Sequence, residues 1–193
     1  MNTINTIAVF CGSNMGANPL YEQKTIALGK AMHLEQIGLV YGGGNRGLMG
    51  ILAKTVYSLG GKVIGVLPEA LNLASVRKEV VESEMIVVPT MHERKATMYS
   101  LADAFIALPG GIGTFEEILE VFTWLQLGYH HKPVALLNIA GFYDPLLAFL
   151  QKSCEEGFVH KDLLDALIVE EDEHLLLERI RTISISLKDK LAP

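Results

Sequence analysis

Short apolar runs alternate along this chain with longer segments of helical periodicity. The runs are TIAVFC (6–11), LVYG (39–42), KVIGVL (62–67), MIVVP (85–89), AFIALP (104–109) and KPVALLN (132–138). Most are continuously apolar rather than alternating, the pattern of strands covered on both faces. Helices are predicted near 19–36, 47–59, 91–102, 114–127 and 143–156, with a last one near 171–186. No linker or repeat interrupts the series. Residues 1–193 therefore read as a single doubly wound α/β domain, a mostly parallel sheet with helices on both faces.

Sheets of this class bind ligands beyond the carboxyl ends of their strands, near the point where the strand order reverses. The glycines of this sequence fall at those ends. CGSN (11–14) follows the first run, YGGGNRGLMG (41–50) overlaps and follows the second, and LPGGIGT (108–114) overlaps and follows the fifth. Three such ends in one domain can converge on one pocket.

Each stretch has a structural and a functional reading. In the 108–114 stretch, Gly110, Gly111 and Gly113 permit a tight turn, and Thr114 with Glu117 has the spacing of a capping box. A turn needs fewer glycines than this, whereas a row of bare N–H donors at a helix N-terminus suits an anion. No lysine follows as in a Walker loop, and G-x-G-x-x-G is absent. Gly42, Gly43 and Gly44 likewise exceed the needs of a turn and suit close approach of the backbone to a sugar or phosphate. Ser13 can donate to a phosphate or cap a turn, and Asn18 before Pro19 is the expected start of the first helix. Cys11 reads as a buried strand-end residue.

TMHERKATM (90–98) carries the densest basic pair. Thr90 and Glu93 have capping-box spacing, which places His92, Arg94 and Lys95 in the first turns of a helix. Cations there oppose the helix dipole, so function is the expected reason for them. Met91 and Met98 suit either the core or a base pocket. His130 and His131 read as loop residues, no metal site is expected, and no G-x-S-x-G elbow is present.

Half of the 193 residues are hydrophobic, 20% are charged, and the formal net charge is −6. The acidic balance argues against a nucleic-acid partner but leaves room for a small phosphorylated ligand. Two cysteines, Cys11 and Cys154, are too few for a disulfide framework. The N-terminus lacks a basic n-region, and no run approaches the roughly 20 apolar residues of a membrane span. A cytoplasmic protein with no membrane partner is expected, and the positive mean hydropathy favours an apolar oligomer interface.

PGGIGTFEE (109–117) and MHERK (91–95) match the two hallmark motifs of the LONELY GUY (LOG) family, and CGS, YGGGNRGLMG, ADAFIALPGG and EVFTWLQLG are similar to family sequence in family order. The resemblance covers about residues 5 to 150. It implies a Rossmann-like homodimeric phosphoribohydrolase that cleaves the N-glycosidic bond of N6-modified adenosine 5′-monophosphate, or of AMP, without a cofactor. By position, the catalytic pair falls on Arg94 and Glu117. Nucleotide contacts fall on Met91, Arg94, Lys95, Gly110, Gly111, Gly113 and Thr114, supported by Ser13 and Gly42 to Gly44. In that chemistry a carboxylate beside C1′ stabilises oxocarbenium-like charge and orients or deprotonates water, the role expected of Glu117. Arg94 would stabilise the departing purine or hold the nucleotide. Glu84, Glu93 and Glu116 remain open as a second acid. Two rival functions share the scaffold: a non-catalytic carrier of the molybdenum-cofactor type, and a pyridoxal-phosphate decarboxylase that would need Lys95 as its Schiff base.

Overall fold

The structure is a computed structural model that describes residues 2–72, 80–185 and 187. Its elements run β1 (Thr6–Phe10), α1 (Pro19–Leu34), β2 (Gly38–Tyr41), α2 (Gly47–Ser58), β3 (Val63–Pro68), β4 (Glu84–Val88) and α3 (Met91–Leu101). They continue β5 (Ala104–Ala107), α4 (Ile112–Gln126), β6 (Val134–Leu137), α5 (Asp144–Glu155), α6 (Lys161–Ala166), β7 (Leu167–Glu170) and α7 (Glu173–Thr182). The described strands form one seven-stranded sheet in the order β4-β3-β2-β1-β5-β6-β7, every pair parallel.

The apolar runs become strands because both sheet faces are covered. Along β1, Ile7 and Val9 enter one core layer with residues of α1, α2 and α7. Ala8 and Phe10 enter the opposite layer with residues of α3, α4 and α6. Alternate residues thus bury on opposite sides, and no polar face remains to mark the alternation. Asn18 caps α1 as expected, its side chain accepting from the Leu20 N–H.

Three predicted features differ. The fourth major helix begins at Ile112 rather than 114, so Thr114 lies inside it, and Gly111 is the N-cap with no side-chain hydrogen bond. The Thr114–Glu117 capping box is therefore not formed. The last helix spans only Glu173–Thr182, and Ser186 at its predicted end lies outside the described residues. Helix α6 and strand β7 were not predicted; they are short, six and four residues, and run into each other without a turn signal.

The chain steps from β1 to β2, β3 and β4 on one side, then crosses to β5 on the other. The switch point lies between β1 and β5. There the Gly12 N–H donates to the Pro109 carbonyl at 3.0 Å. The Tyr143 hydroxyl, from a side chain 1% exposed, donates to the Leu108 carbonyl at 2.6 Å. That bond fixes the end of β5 just before the glycine loop. Tyr143→Phe is expected to lower unfolding free energy in urea by about 1–2 kcal/mol. Unchanged stability would show that the bond does not hold the strand end.

Candidate active site

Helix α3 opens on Thr90, whose hydroxyl oxygen accepts from the Glu93 N–H at 3.1 Å. The Glu93 carboxylate bonds the Thr90 hydroxyl rather than a backbone amide, so only half of the expected box forms. With that start fixed, Arg94 and Lys95 turn inward, each 8% exposed. The Arg94 guanidinium donates from Nε to the Val66 carbonyl at 3.2 Å and from Nη1 to Glu117 Oε1 at 2.6 Å. Gly42 makes this possible. A Cβ there would lie 2.1 Å from Arg94 Nη2. Gly43, at φ +74°, sits against the Leu67 side chain. Two of the three consecutive glycines are thus explained by packing, and Gly44 reaches the cavity described next.

Glu117, on the second turn of α4, forms a wall of a cavity of about 530 Å³ with Arg94. Burial pushes its carboxyl above the ordinary value of 4.5, and the charge and hydrogen bond of Arg94 offset only part of that rise. Ser13, Gly42, Gly44, Met91 and Gly113 line the same cavity, so the three glycine-bearing strand ends do converge. Met49, Leu67, Leu71 and Met91 give it an apolar wall. An adjoining cavity of about 270 Å³ takes in Gly110, Gly111, Tyr21 and Phe142, and shares Ser13 and Asn14 with the first.

Not every expected residue lines the main cavity. Lys95 bonds Glu116 and, at 3.0 Å, Glu120 Oε1; the Tyr99 hydroxyl donates to Glu120 Oε2 at 2.6 Å. Thr114 is buried beneath Gly110, where an added Cβ would meet its Oγ1 at 2.1 Å. Gly110 is therefore required by packing. Gly111 and Gly113 are different: a Cβ on either would meet nothing within 4 Å among the described residues, and neither has a left-handed φ. The protein itself does not demand glycine at those two positions. They leave the uncapped N-terminus of α4 open to an approaching anion.

Of the three carboxylates left open as a second acid, Glu116 alone lines the cavity. Sequence reasoning passed over Asn14, Asn45, Arg46, Met49, Leu67 and Leu71, which also line it. Arg46 and Met49 stood inside a motif already singled out, whereas Leu71 sits on a 3₁₀ turn after β3 that carries no local signal. Met98 joins the core and Met91 the cavity, which separates two methionines that shared one reading. Cys11 is buried, and burial raises its thiol pKa, with Glu117 adding to the rise. His130 accepts at Nδ1 from the Lys132 N–H and bonds Val121 O through Nε2; burial pushes its pKa down to about 4.

A family model described as "Possible lysine decarboxylase" matches residues 49–180. The cytokinin riboside 5′-monophosphate phosphoribohydrolase LOG2 of Arabidopsis thaliana is 52% identical over 153 residues, covering 79% of this chain and 71% of that protein. The probable phosphoribohydrolase LOGL2 of Oryza sativa subsp. japonica is 46% identical over 178 residues, covering 92% of this chain and 72% of that protein. Among solved structures, the molybdenum cofactor binding protein from Rippkaea orientalis aligns with a TM-score of 0.69 at 22% identity. That alignment covers 93% of this chain and 97% of the other. At that identity the likeness shows the fold alone.

An NMR titration of the Glu117 carboxyl should give a midpoint above 4.5. Gly42→Ala should raise it further by forcing the guanidinium away. A midpoint at or below the free-glutamate value would contradict the burial and pairing described for this group.

Proposed function

The chain belongs to the LOG family of cytokinin riboside 5′-monophosphate phosphoribohydrolases, and from that premise we propose that it hydrolyses the N-glycosidic bond of N6-modified adenosine 5′-monophosphate, or of AMP, to free base and ribose 5-phosphate. The observation that carries this reading is the position of the Arg94–Glu117 pair. It lies in one cavity with an apolar wall suited to a purine and with Gly113 at the α4 N-terminus.

Cleavage of C1′–N9 builds positive charge on the ribose and negative charge on the departing purine. Glu117 faces C1′, stabilises the first charge and takes a proton from the attacking water; its raised pKa makes it a better base than an exposed carboxylate. A guanidinium is too strong a base to serve as a proton donor, so Arg94 acts on the purine or the nucleotide as a fixed positive charge. The amides of Gly111, Gly113 and Thr114, with Ser13, receive the 5′-phosphate. Lys95 serves the site through Glu116, which it holds beside the cavity.

The lysine decarboxylase description implies pyridoxal phosphate, which needs a lysine able to give up its proton. Burial alone would lower the Lys95 pKa. The hydrogen bonds and charges of Glu116 and Glu120 instead carry it above the ordinary lysine value. The residues present do not fit that cofactor. A carrier function shares only the fold, and it leaves the glutamate facing the cavity without a task.

The protein acts as a cytoplasmic homodimer in this reading. Support comes from exposed apolar side chains, among them Ile112, 82% exposed, and Val87 on β4. No helix among the described residues is long and apolar enough to cross a membrane.

Incubation with AMP and with an N6-modified analogue should yield free base and ribose 5-phosphate. Glu117→Gln should reduce turnover by on the order of 10²–10⁴-fold while the protein stays folded. Near wild-type turnover in that variant would remove Glu117 from the mechanism. Because the working form is the carboxylate and its pKa is raised, activity should fall as pH drops through a midpoint above 4.5. An acid limb at or below that value would mean that another group sets it.

A further inference from the structure

Arg46 is the N-cap residue of α2, where a cation opposes the helix dipole and the side chain makes no cap hydrogen bond. Local structure therefore does not account for an arginine there. It lines the main cavity with Ser13, Asn14 and Gly113, and its guanidinium has no hydrogen-bond or ion-pair partner among the described residues. The neighbouring cations are engaged, Arg94 by Glu117 and Lys95 by Glu116 and Glu120.

The position of Arg46 is fixed from behind. Gly47 takes φ +59°, and a Cβ there would lie 2.3 Å from the Ser13 carbonyl carbon. The Met49 N–H donates to the Gly12 carbonyl at 3.2 Å. The start of α2 is thus pressed against the Gly12–Asn14 loop, which touches the 109–110 backbone in turn. Arg46 stands on the rim of the cavity that the α4 glycines border.

Charge balance gives this placement a purpose. Glu116 and Glu117 both line the cavity, and Lys95 and Glu120 cancel behind it. With Arg94 alone, the ionised side chains would leave one net negative charge facing a substrate that carries a phosphate dianion. Arg46 removes that excess and adds donors shaped for phosphate oxygens. We propose that Arg46 binds the 5′-phosphate of the nucleotide and makes the site select monophosphates over nucleosides. This rests on the hydrolase reading for the identity of the substrate.

The test measures binding as well as turnover. In the Glu117→Gln protein, in which turnover is expected to be too slow to consume the ligand, calorimetry with AMP and with adenosine separates the phosphate from the rest of the ligand. Arg46→Ala added to that protein should raise the Kd for AMP about tenfold or more and leave that for adenosine unchanged. Arg46→Lys should recover part of the loss. In the otherwise wild-type enzyme, Arg46→Ala should raise KM for AMP more than it lowers kcat, with no drop in thermal midpoint. Unchanged AMP affinity, or equal weakening of AMP and adenosine, would overturn the assignment. If the wild-type chain binds AMP but releases no adenine, the hydrolase reading fails while the Arg46 result still stands on affinity. Failure of the wild-type chain to bind AMP would sink both.

Discussion

The buried ion pair between Arg94 and Glu117 organises the site, and much around it exists to make that pair possible. Removing two charges from water is costly, and a buried pair often adds nothing to stability compared with apolar side chains. Leaving either partner alone costs about 3–5 kcal/mol. The pair therefore persists only where the surroundings hold both groups in register. Thr90 fixes the start of α3, Gly42 clears the path of the guanidinium, and the Val66 carbonyl takes its Nε proton. Burial holds the Glu117 carboxyl above its ordinary pKa even with an arginine at 2.6 Å, because desolvation outweighs the attraction of the guanidinium.

The sheet supplies the frame for this arrangement. Because β1 and β5 are neighbours at the reversal of strand order, the loops that leave them face one crevice. Their backbones are tied by Gly12 and Pro109, and Tyr143 holds the β5 end from below. Helices α2 and α4 both begin at this crevice without side-chain caps, whereas α1, α3 and α7 have them. Helices α5 and α6 lack side-chain caps as well, but α2 and α4 are the uncapped helices whose first turns line the main cavity. A capping side chain there would occupy the amides that the proposed phosphate needs.

Much of this was legible in the sequence, and for physical reasons. Strands buried on both faces leave continuous apolar runs, and the glycines mark the strand ends where the backbone turns towards the cavity. Positions such as Gly42 and Gly110 read alike in sequence but differ in cause from Gly111 and Gly113. The first pair makes room for Arg94 and Thr114, the second for nothing among the described residues. Only the packed structure separates them. The Thr114–Glu117 spacing misled because a capping box and an inward-facing helical pair share the same interval, and the helix starts two residues earlier than the threonine suggests. Lys95 misled in another way. Its motif placed it beside the cavity, but its destination depends on Glu116 together with Glu120, which opens the EVFTWLQLG stretch one turn further along α4.

In the proposed reaction Arg94 and Glu117 work as one unit rather than as two separate contributors. A double-mutant cycle on AMP hydrolysis tests it, comparing wild type with Arg94→Gln, Glu117→Gln and the double variant. If the two groups act together, each single change removes most of the rate, and the double variant is no slower than the slower single variant. Losses that multiply in the double variant would show two independent contributions and contradict the account.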